Sequence, residues 1–114
     1  MNNWLIPDWL EIEVRERDVR CVYCAVTMIN TVELGQSRCL LATWEHIIND
    51  ASIVTRENIA LCCSSCNSSK GAKNLSDWLD SPYCKRNGIT QNTVAEVVKA
   101  HLTAGASTSF SQSG

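Results

Sequence analysis

Two pairs of cysteines with the spacing C-x-x-C limit what this chain can fold into more than any other feature: Cys21 with Cys24, and Cys63 with Cys66. A two-residue spacer lets both sulfurs of a pair reach one tetrahedral ion, and two such pairs complete a closed structural site. A chain of 114 residues has room for only a small core. A site of this kind contributes on the order of 10 kcal/mol to folding. We therefore predict a structural zinc ion bound by these four cysteines.

The other three cysteines leave alternatives open. Cys62 precedes Cys63 and offers a competing ligand spacing, C-x-x-x-C, to Cys66. Cys39 and Cys84 are interpreted as small buried hydrophobic residues. The alternative for those two is a second metal site shared with His101.

The cysteine pattern also indicates a cellular compartment. An odd count of seven and the paired spacing favour metal binding over a secreted disulfide scaffold. The first 18 residues lack a basic segment followed by an apolar run, so no signal peptide is expected. No apolar run approaches the roughly 20 residues of a membrane-spanning helix. We expect a reduced, cytoplasmic protein that does not enter a membrane.

Charge is unevenly distributed along the chain. Residues 1–18 contain five acidic residues and two arginines, a local charge of −3, so the remainder carries −2 − (−3) = +1. Within that remainder four basic residues lie close together in the sequence: Lys70, Lys73, Lys85 and Arg86. Such a cluster is typical either of a phosphate-binding surface or of a solvated basic face.

Local patterns predict a ββα unit in the middle of the chain. A helix over about residues 8–18 comes first, supported by acid-to-base pairs four residues apart. A buried strand is expected over 39–44 and runs into residues 45 and 46, and a second strand is expected over 58–62. A helix then begins at residue 63 and ends at Gly71. We place the unit at about residues 38–71.

Two further helices are expected after the ββα unit. Ser76 is predicted to cap the first, which ends before Pro82. Thr90 is predicted to cap the second, whose helically spaced residues are Val94, Val97, Val98, His101 and Leu102. Residues 103–114 are predicted to form a disordered, Ser/Gly-rich tail. The predicted fold class is α+β: one domain over residues 1–102, in which the zinc site clamps the ββα unit and helices flank it.

Three stretches, taken together, resemble the HNH endonucleases of the zinc-containing ββα-metal type. They are R-x-R-D-V-R-C-V-Y-C at residues 15–24, T-W-E-H-I-I at 43–48, and E-N-I-A-L-C-C-S-S-C-N-S-S-K-G at 57–71. The elements occur in the order of that family and at compatible spacing, and they cover about half of the chain. The sequence departs from the commoner family pattern at Glu45, where Asp is usual, and at Asn67, where the family name expects His.

The resemblance implies a mechanism for phosphodiester hydrolysis. His46 would act as the general base, because an imidazole with a pKa near 6.5 can accept a proton at neutral pH. Glu45 and Asn67 would be oxygen ligands of a catalytic Mg²⁺ or Mn²⁺ ion. Asn58 would tie the loop between the strands and keep the histidine in place. Lys70, otherwise a surface lysine, is a candidate for contact with a phosphate.

Two consequences follow from this resemblance. Neighbouring residues of a strand point to opposite faces, so a local twist or bulge is required if Glu45 and His46 are to flank one phosphate. One active site cuts one strand, so cutting both strands of duplex DNA leads us to expect a homodimer. The expected function is a metal-dependent DNA endonuclease. The alternatives are a non-catalytic zinc-stabilised module that binds nucleic acid, and a redox or zinc-storage protein.

Overall fold

A computed structural model describes residues 5–103, which form a mixed α+β fold. Its elements in chain order are α1 (Asp8–Arg17), a 3₁₀-helix (Arg38–Leu40), β1 (Ala42–His46), β2 (Ile59–Cys63), α2 (Ser64–Lys70), α3 (Leu75–Leu79), α4 (Pro82–Arg86) and a helical segment over residues 96–103, here α5. The predicted fold class is confirmed. The predicted tail lies outside the described residues, except for Thr103, which is helical.

The ββα unit consists of β1, β2 and α2. The two strands are antiparallel and pair residue for residue, from Ala42 with Cys63 to His46 with Ile59. The α2 helix begins directly after β2, and Gly71, with a φ of 51°, follows its last residue. The predicted order of strand, loop, strand and helix is thus confirmed. The first strand starts later than predicted because residues 38–40 turn as a 3₁₀-helix.

The second strand lies between two groups of buried side chains. Ile59 and Leu61 pack with three residues at the start of the chain, Ile6, Leu10 and Val14. Ala60 and Cys62, which alternate with them, belong to the larger cluster on the other face of the sheet. All five residues of β2 are therefore buried, which explains why its sequence is continuously apolar instead of alternating.

Trp78 of α3 joins several elements within the larger cluster. Its side chain is fully buried, and its ring meets Tyr23 edge-on with 4.8 Å between ring centroids. It also stacks against Tyr83 of α4, at 6.0 Å between centroids. Its Nε1 donates a hydrogen bond of 3.0 Å to Ser69 Oγ, so the one polar atom of the indole is satisfied.

The helix caps after residue 71 differ from the prediction. Asn74, not Ser76, caps α3, because its side chain accepts a hydrogen bond from the backbone N–H of Ser76. The α3 helix ends at Leu79, before Pro82, as predicted. Ser81 then caps a separate helix, α4, in which Pro82 occupies the first helical position. Proline fits there because the N–H that it lacks would have had no partner within the helix.

The final helix also begins later than predicted. Thr90 does not cap it but forms a turn that Thr93 closes. The helix starts at residue 96, after Ala95 donates a backbone hydrogen bond of 2.8 Å to Val22. Val94 therefore packs in the core from a turn and not from a helix. Across residues 5–103, no helix combines the length and apolar character that a bilayer span requires.

The prediction that Cys39 is a buried hydrophobic residue is wrong, and some apolar residues of α1 are also exposed. Cys39 lies in the 3₁₀-helix and faces solvent, whereas Cys84 is fully buried as predicted. In α1 only Leu10 and Val14 are buried, and Trp9 remains 58% exposed. A helix packed on one side of a sheet buries one stripe of residues, so an apolar residue beside that stripe stays in solvent.

The central position of Trp78 in the core gives a testable prediction. Replacing Trp78 with Ala should lower the free energy of unfolding by about 3–5 kcal/mol, because it removes a fully buried indole and leaves a cavity. Trp9→Ala is the matched control, with a smaller expected loss because that side chain is largely exposed. Urea unfolding of zinc-loaded protein, followed by circular dichroism, measures both. Equal losses in the two variants would contradict the assignment of Trp78 to the centre of the core.

Candidate metal centre and the adjoining polar cluster

The four cysteines of the two C-x-x-C pairs form one compact group. The sulfurs of Cys21, Cys24, Cys63 and Cys66 all lie within 4.8 Å of one another, and the Cys24 and Cys63 sulfurs are 3.8 Å apart. Tetrahedral zinc with Zn–S bonds of about 2.3 Å separates its sulfur ligands by about 3.8 Å. The group can therefore hold a metal ion such as zinc, as predicted.

Backbone geometry presents these sulfurs. Cys21 Sγ accepts weak hydrogen bonds from the backbone N–H groups of Tyr23 and Cys24, which folds the first pair into a knuckle. Ala25 follows with a φ of 66°, a left-handed conformation that is uncommon for alanine and turns the chain sharply. In the second pair, Cys63 caps α2 by accepting from the N–H of Cys66. The second pair is thus set by the junction between β2 and α2.

The electrostatics of the group favour a bound cation. Hydrogen bonds from Cys63 and Cys66 lower the pKa of the Cys21 thiol to about 2. The Cys21 sulfur in turn raises the pKa of the Cys63 and Cys66 thiols. The hydrogen bonds that Cys63 and Cys66 donate to the Cys21 thiolate keep their own thiols protonated, and repulsion between like charges adds to the effect. A divalent ion among the sulfurs removes that conflict and allows all four to bind as thiolates.

The competing cysteine assignments do not fit. Cys62 is fully buried, and its sulfur lies 3.8 Å from Thr43 Oγ1, so Cys63 and not Cys62 joins the group. Within residues 5–103 the four-cysteine group is the one set of metal-ligating side chains close enough to share an ion. A second site of Cys39, Cys84 and His101 is therefore not formed, and the His101 ring contacts the backbone carbonyl of Glu57 instead.

Glu45 lies at the centre of a buried polar cluster. Its Oε2 accepts a hydrogen bond of 2.6 Å from the Tyr23 hydroxyl and lies 3.1 Å from the Lys70 ammonium. The side chains of Glu45 and Lys70 are 8% and 1% exposed. Burial, followed by the charge of Glu45, raises the pKa of Tyr23 well above its usual value, so the hydroxyl keeps its proton. We call Tyr23, Glu45 and Lys70 the Glu45 cluster.

The prediction that Lys70 is a surface or phosphate-contacting lysine is wrong. Its ammonium lies inside the protein, where it donates a hydrogen bond of 3.2 Å to the backbone carbonyl of Ile47 and pairs with Glu45. A buried ammonium must have such partners, because losing its hydration is costly. The predicted basic cluster therefore keeps Lys73, Lys85 and Arg86 on the surface and loses Lys70 to the core.

The two signature asparagines have different surroundings. Asn58 is 1% exposed, its Oδ1 accepts from the N–H of Ile48, and its Nδ2 donates to the carbonyls of Ile48 and Ile53. It thus ties together the loop between β1 and β2. Asn67 of α2 donates from Nδ2 to Thr43 Oγ1 and to the carbonyl of Trp44. The carboxamide of Asn67 therefore lies against the face of β1 that carries Thr43 and Glu45.

His46 is the last residue of β1 and is buried, with 6% exposure. The strand pairing is regular through this residue, so there is no bulge between Glu45 and His46, and in a regular strand their side chains leave on opposite faces. Burial lowers the pKa of the His46 imidazole, and the nearby charges of Glu45 and Asp50 only partly oppose that shift. The neutral imidazole is therefore the main form at neutral pH.

Tyr23 lies between Cys21 and Cys24, and its contact with Glu45 is not predicted by the sequence motifs. A signal was available, because a tyrosine between two metal-binding cysteines is held close to the core. The hydroxyl of a buried tyrosine requires a polar partner. What the sequence could not indicate was that this partner would be Glu45, which is 22 positions away in the chain.

Cys63→Ser should reduce bound zinc from about one ion per chain to a small fraction, because a closed site needs four ligands. It should also abolish the cooperative thermal transition that zinc supports. The neighbouring Cys62→Ser variant is the control and should retain zinc, since its sulfur lies outside the group. Elemental analysis of purified protein and thermal melting measure the effects. Loss of zinc from Cys62→Ser with retention in Cys63→Ser would reverse the assignment.

The ion pair between Glu45 and Lys70 can be tested with a double-mutant cycle. Lys70→Met should destabilise the protein by about 3–5 kcal/mol, because it leaves a buried carboxylate without its cation. Glu45→Gln combined with Lys70→Met should recover about 1–3 kcal/mol of that loss, because no uncompensated charge remains. Gln also keeps an acceptor for the Tyr23 hydroxyl. Chemical unfolding of the zinc-loaded variants measures both values, and strictly additive losses would argue against direct pairing.

The described part of the chain thus contains a four-sulfur group suited to zinc and, beside it, a set of oxygen and nitrogen side chains on β1 and α2. Only the first of these has the chemistry of a recognisable metal site by itself. Comparisons of the chain with protein-family models, with curated proteins and with solved structures found no match. What the structure shows that bears on function is the four-cysteine group, which is compatible with zinc.

Proposed function

We propose that this protein is a metal-dependent DNA endonuclease of the HNH type, which hydrolyses phosphodiester bonds. One observation carries the proposal. In the ββα unit, which is compatible with zinc, the carboxylate of Glu45 and the carboxamide of Asn67 lie on the same face of β1. His46, which carries the imidazole, follows Glu45 in that strand. An acid, an imidazole and a carboxamide at one strand end are the groups that this hydrolysis requires.

His46 is the proposed general base. It must be neutral to accept a proton from water, and its burial favours the neutral form. Because its side chain and that of Glu45 leave the strand on opposite faces, the phosphate would have to sit across the end of β1 to meet both. Asn58 holds the backbone immediately after this point through its bonds to Ile48 and Ile53.

Glu45 and Asn67 are the proposed ligands of the catalytic cation. Both contacts of the Glu45 carboxylate use Oε2, and both contacts of the Asn67 carboxamide use Nδ2. Glu45 Oε1 and Asn67 Oδ1 are therefore available as metal ligands. Oxygen donors of this kind suit Mg²⁺ or Mn²⁺. When bound, such an ion neutralises negative charge that develops on the phosphate. The zinc site would take no part in the reaction and would hold the unit in shape.

A second candidate is a non-catalytic zinc module that binds nucleic acid. The observation that favours it is the ion pair between Lys70 and Glu45, because the ammonium already compensates the carboxylate without a divalent cation. The exposed basic residues Lys73, Lys85 and Arg86 would then provide phosphate contacts. This candidate predicts DNA binding that weakens steeply with salt and does not lead to cleavage.

A plasmid-nicking assay in Mg²⁺ or Mn²⁺ distinguishes the two. The wild-type protein should convert supercoiled DNA to nicked circles, and His46→Ala should slow this about 10²–10⁴-fold because the general base is lost. The other histidine of the chain gives the control, His101→Ala, which should cut at the wild-type rate. Products that are linear rather than nicked at early times would indicate a homodimer that cuts both strands.

Equal cleavage by wild type and His46→Ala would refute the proposed base. Binding of duplex DNA without cleavage in either metal, by protein shown to contain zinc, would favour the non-catalytic module instead.

A further inference from the structure

We infer that Tyr23 is a positioning residue, which links the geometry of the four-cysteine group to the orientation of the Glu45 carboxylate. The inference rests on the proposed function, because it concerns how the proposed cation ligand is held. It assigns Tyr23 no contact with substrate.

The backbone and ring of Tyr23 are both restrained. Tyr23 lies between Cys21 and Cys24, and its N–H donates to the Cys21 sulfur. The preceding residue, Val22, donates a backbone hydrogen bond of 3.3 Å to Leu61 of β2 and accepts one from Ala95. The ring is 1% exposed and packs edge-on against Trp78. Closure of the metal group therefore determines where the Tyr23 hydroxyl points.

The Glu45 side chain, in contrast, has three rotatable bonds and needs external contacts to hold one orientation. The Tyr23 hydroxyl supplies the shorter contact, 2.6 Å to Oε2, and the Lys70 ammonium supplies the other, 3.1 Å to the same oxygen. Two donors on one oxygen fix the rotation of the carboxylate. Both contacts use Oε2, which leaves Oε1 available as a ligand for a cation.

Tyr23 and Lys70 contribute differently to this arrangement. The ammonium reduces the net charge of the site, and it would do so from any nearby position. The neutral hydroxyl gives direction and leaves the formal charge of the carboxylate in place. Removing the hydroxyl should therefore change the orientation of Glu45 without changing the net charge, which separates positioning from electrostatic effects.

Manganese binding tests this directly and does not depend on DNA cleavage. Zinc-loaded protein is titrated with Mn²⁺, and free Mn²⁺ is followed by electron paramagnetic resonance. Glu45→Gln should weaken binding strongly because it removes the charged ligand. Tyr23→Phe should weaken it about 10-fold or more, the usual effect of losing a hydrogen bond to a metal-binding carboxylate. Zinc content should be equal in all proteins.

Tyr83→Phe is the matched control. Its hydroxyl also lies near the metal group, bonded to Ser65 Oγ at 2.8 Å and close to the Cys66 sulfur, but it does not contact Glu45. This variant should bind Mn²⁺ as wild type does. If Glu45→Gln weakens binding but Tyr23→Phe does not, the inference on Tyr23 is overturned while the proposed cation site stands.

Two other results would also overturn the inference. Equal weakening by Tyr23→Phe and Tyr83→Phe would assign the effect to general loosening of the core. Binding that is the same in wild type and Glu45→Gln would remove the proposed cation site and the role of Tyr23 together. In that case the plasmid assay would be expected to show no metal-dependent cleavage.

Discussion

The contact among four cysteine sulfurs is the interaction on which the rest of this structure depends. It joins a knuckle near the start of the chain to the junction of β2 and α2, across 39 positions in sequence. Four thiolates this close would repel one another, so a shared cation would stabilise their convergence. The same convergence fixes Tyr23, the edge of β2 and the first turn of α2. A small sheet of two strands gains from it the restraint that its own few hydrogen bonds cannot supply.

The hydrophobic core completes what the metal group begins. On one face of the sheet, α1 packs Leu10 and Val14 against Ile59 and Leu61. On the other, Trp78 connects α3 and α4 to the knuckle through Tyr23 and Tyr83. The sheet is therefore covered on both sides although it has only two strands. This cover explains how a short chain can keep the Glu45 cluster buried, because without it the cluster would be open to solvent.

That buried cluster is where structure and proposed function are in tension. A buried ion pair rarely adds stability, since desolvating two charges costs about as much as their attraction returns. A functional need for the Glu45 carboxylate would explain why this ion pair is kept in a small core. Tyr23 orients that carboxylate, and Lys70 partly neutralises its charge. In the proposed nuclease the carboxylate would exchange part of its interaction with Lys70 for a divalent cation. In the binding module it would stay a structural pair. The nuclease and the binding module therefore differ in whether Glu45 binds a divalent cation.

The sequence alone determined the features that depend on local spacing. The four zinc-compatible cysteines follow from two short intervals, and the order of strand, loop, strand and helix follows from apolar runs and from the glycine at residue 71. Tertiary structure decided the features that depend on partners far along the chain. Lys70 is buried because Glu45 and the Ile47 carbonyl happen to face it, and Cys39 is exposed because a 3₁₀-turn delays β1. Asn74 caps α3 in place of the predicted Ser76, since two polar residues only two positions apart differ as caps in where the backbone turns. Spacing within one element constrains which atoms can meet, whereas the burial of a charge depends on packing that no local pattern encodes.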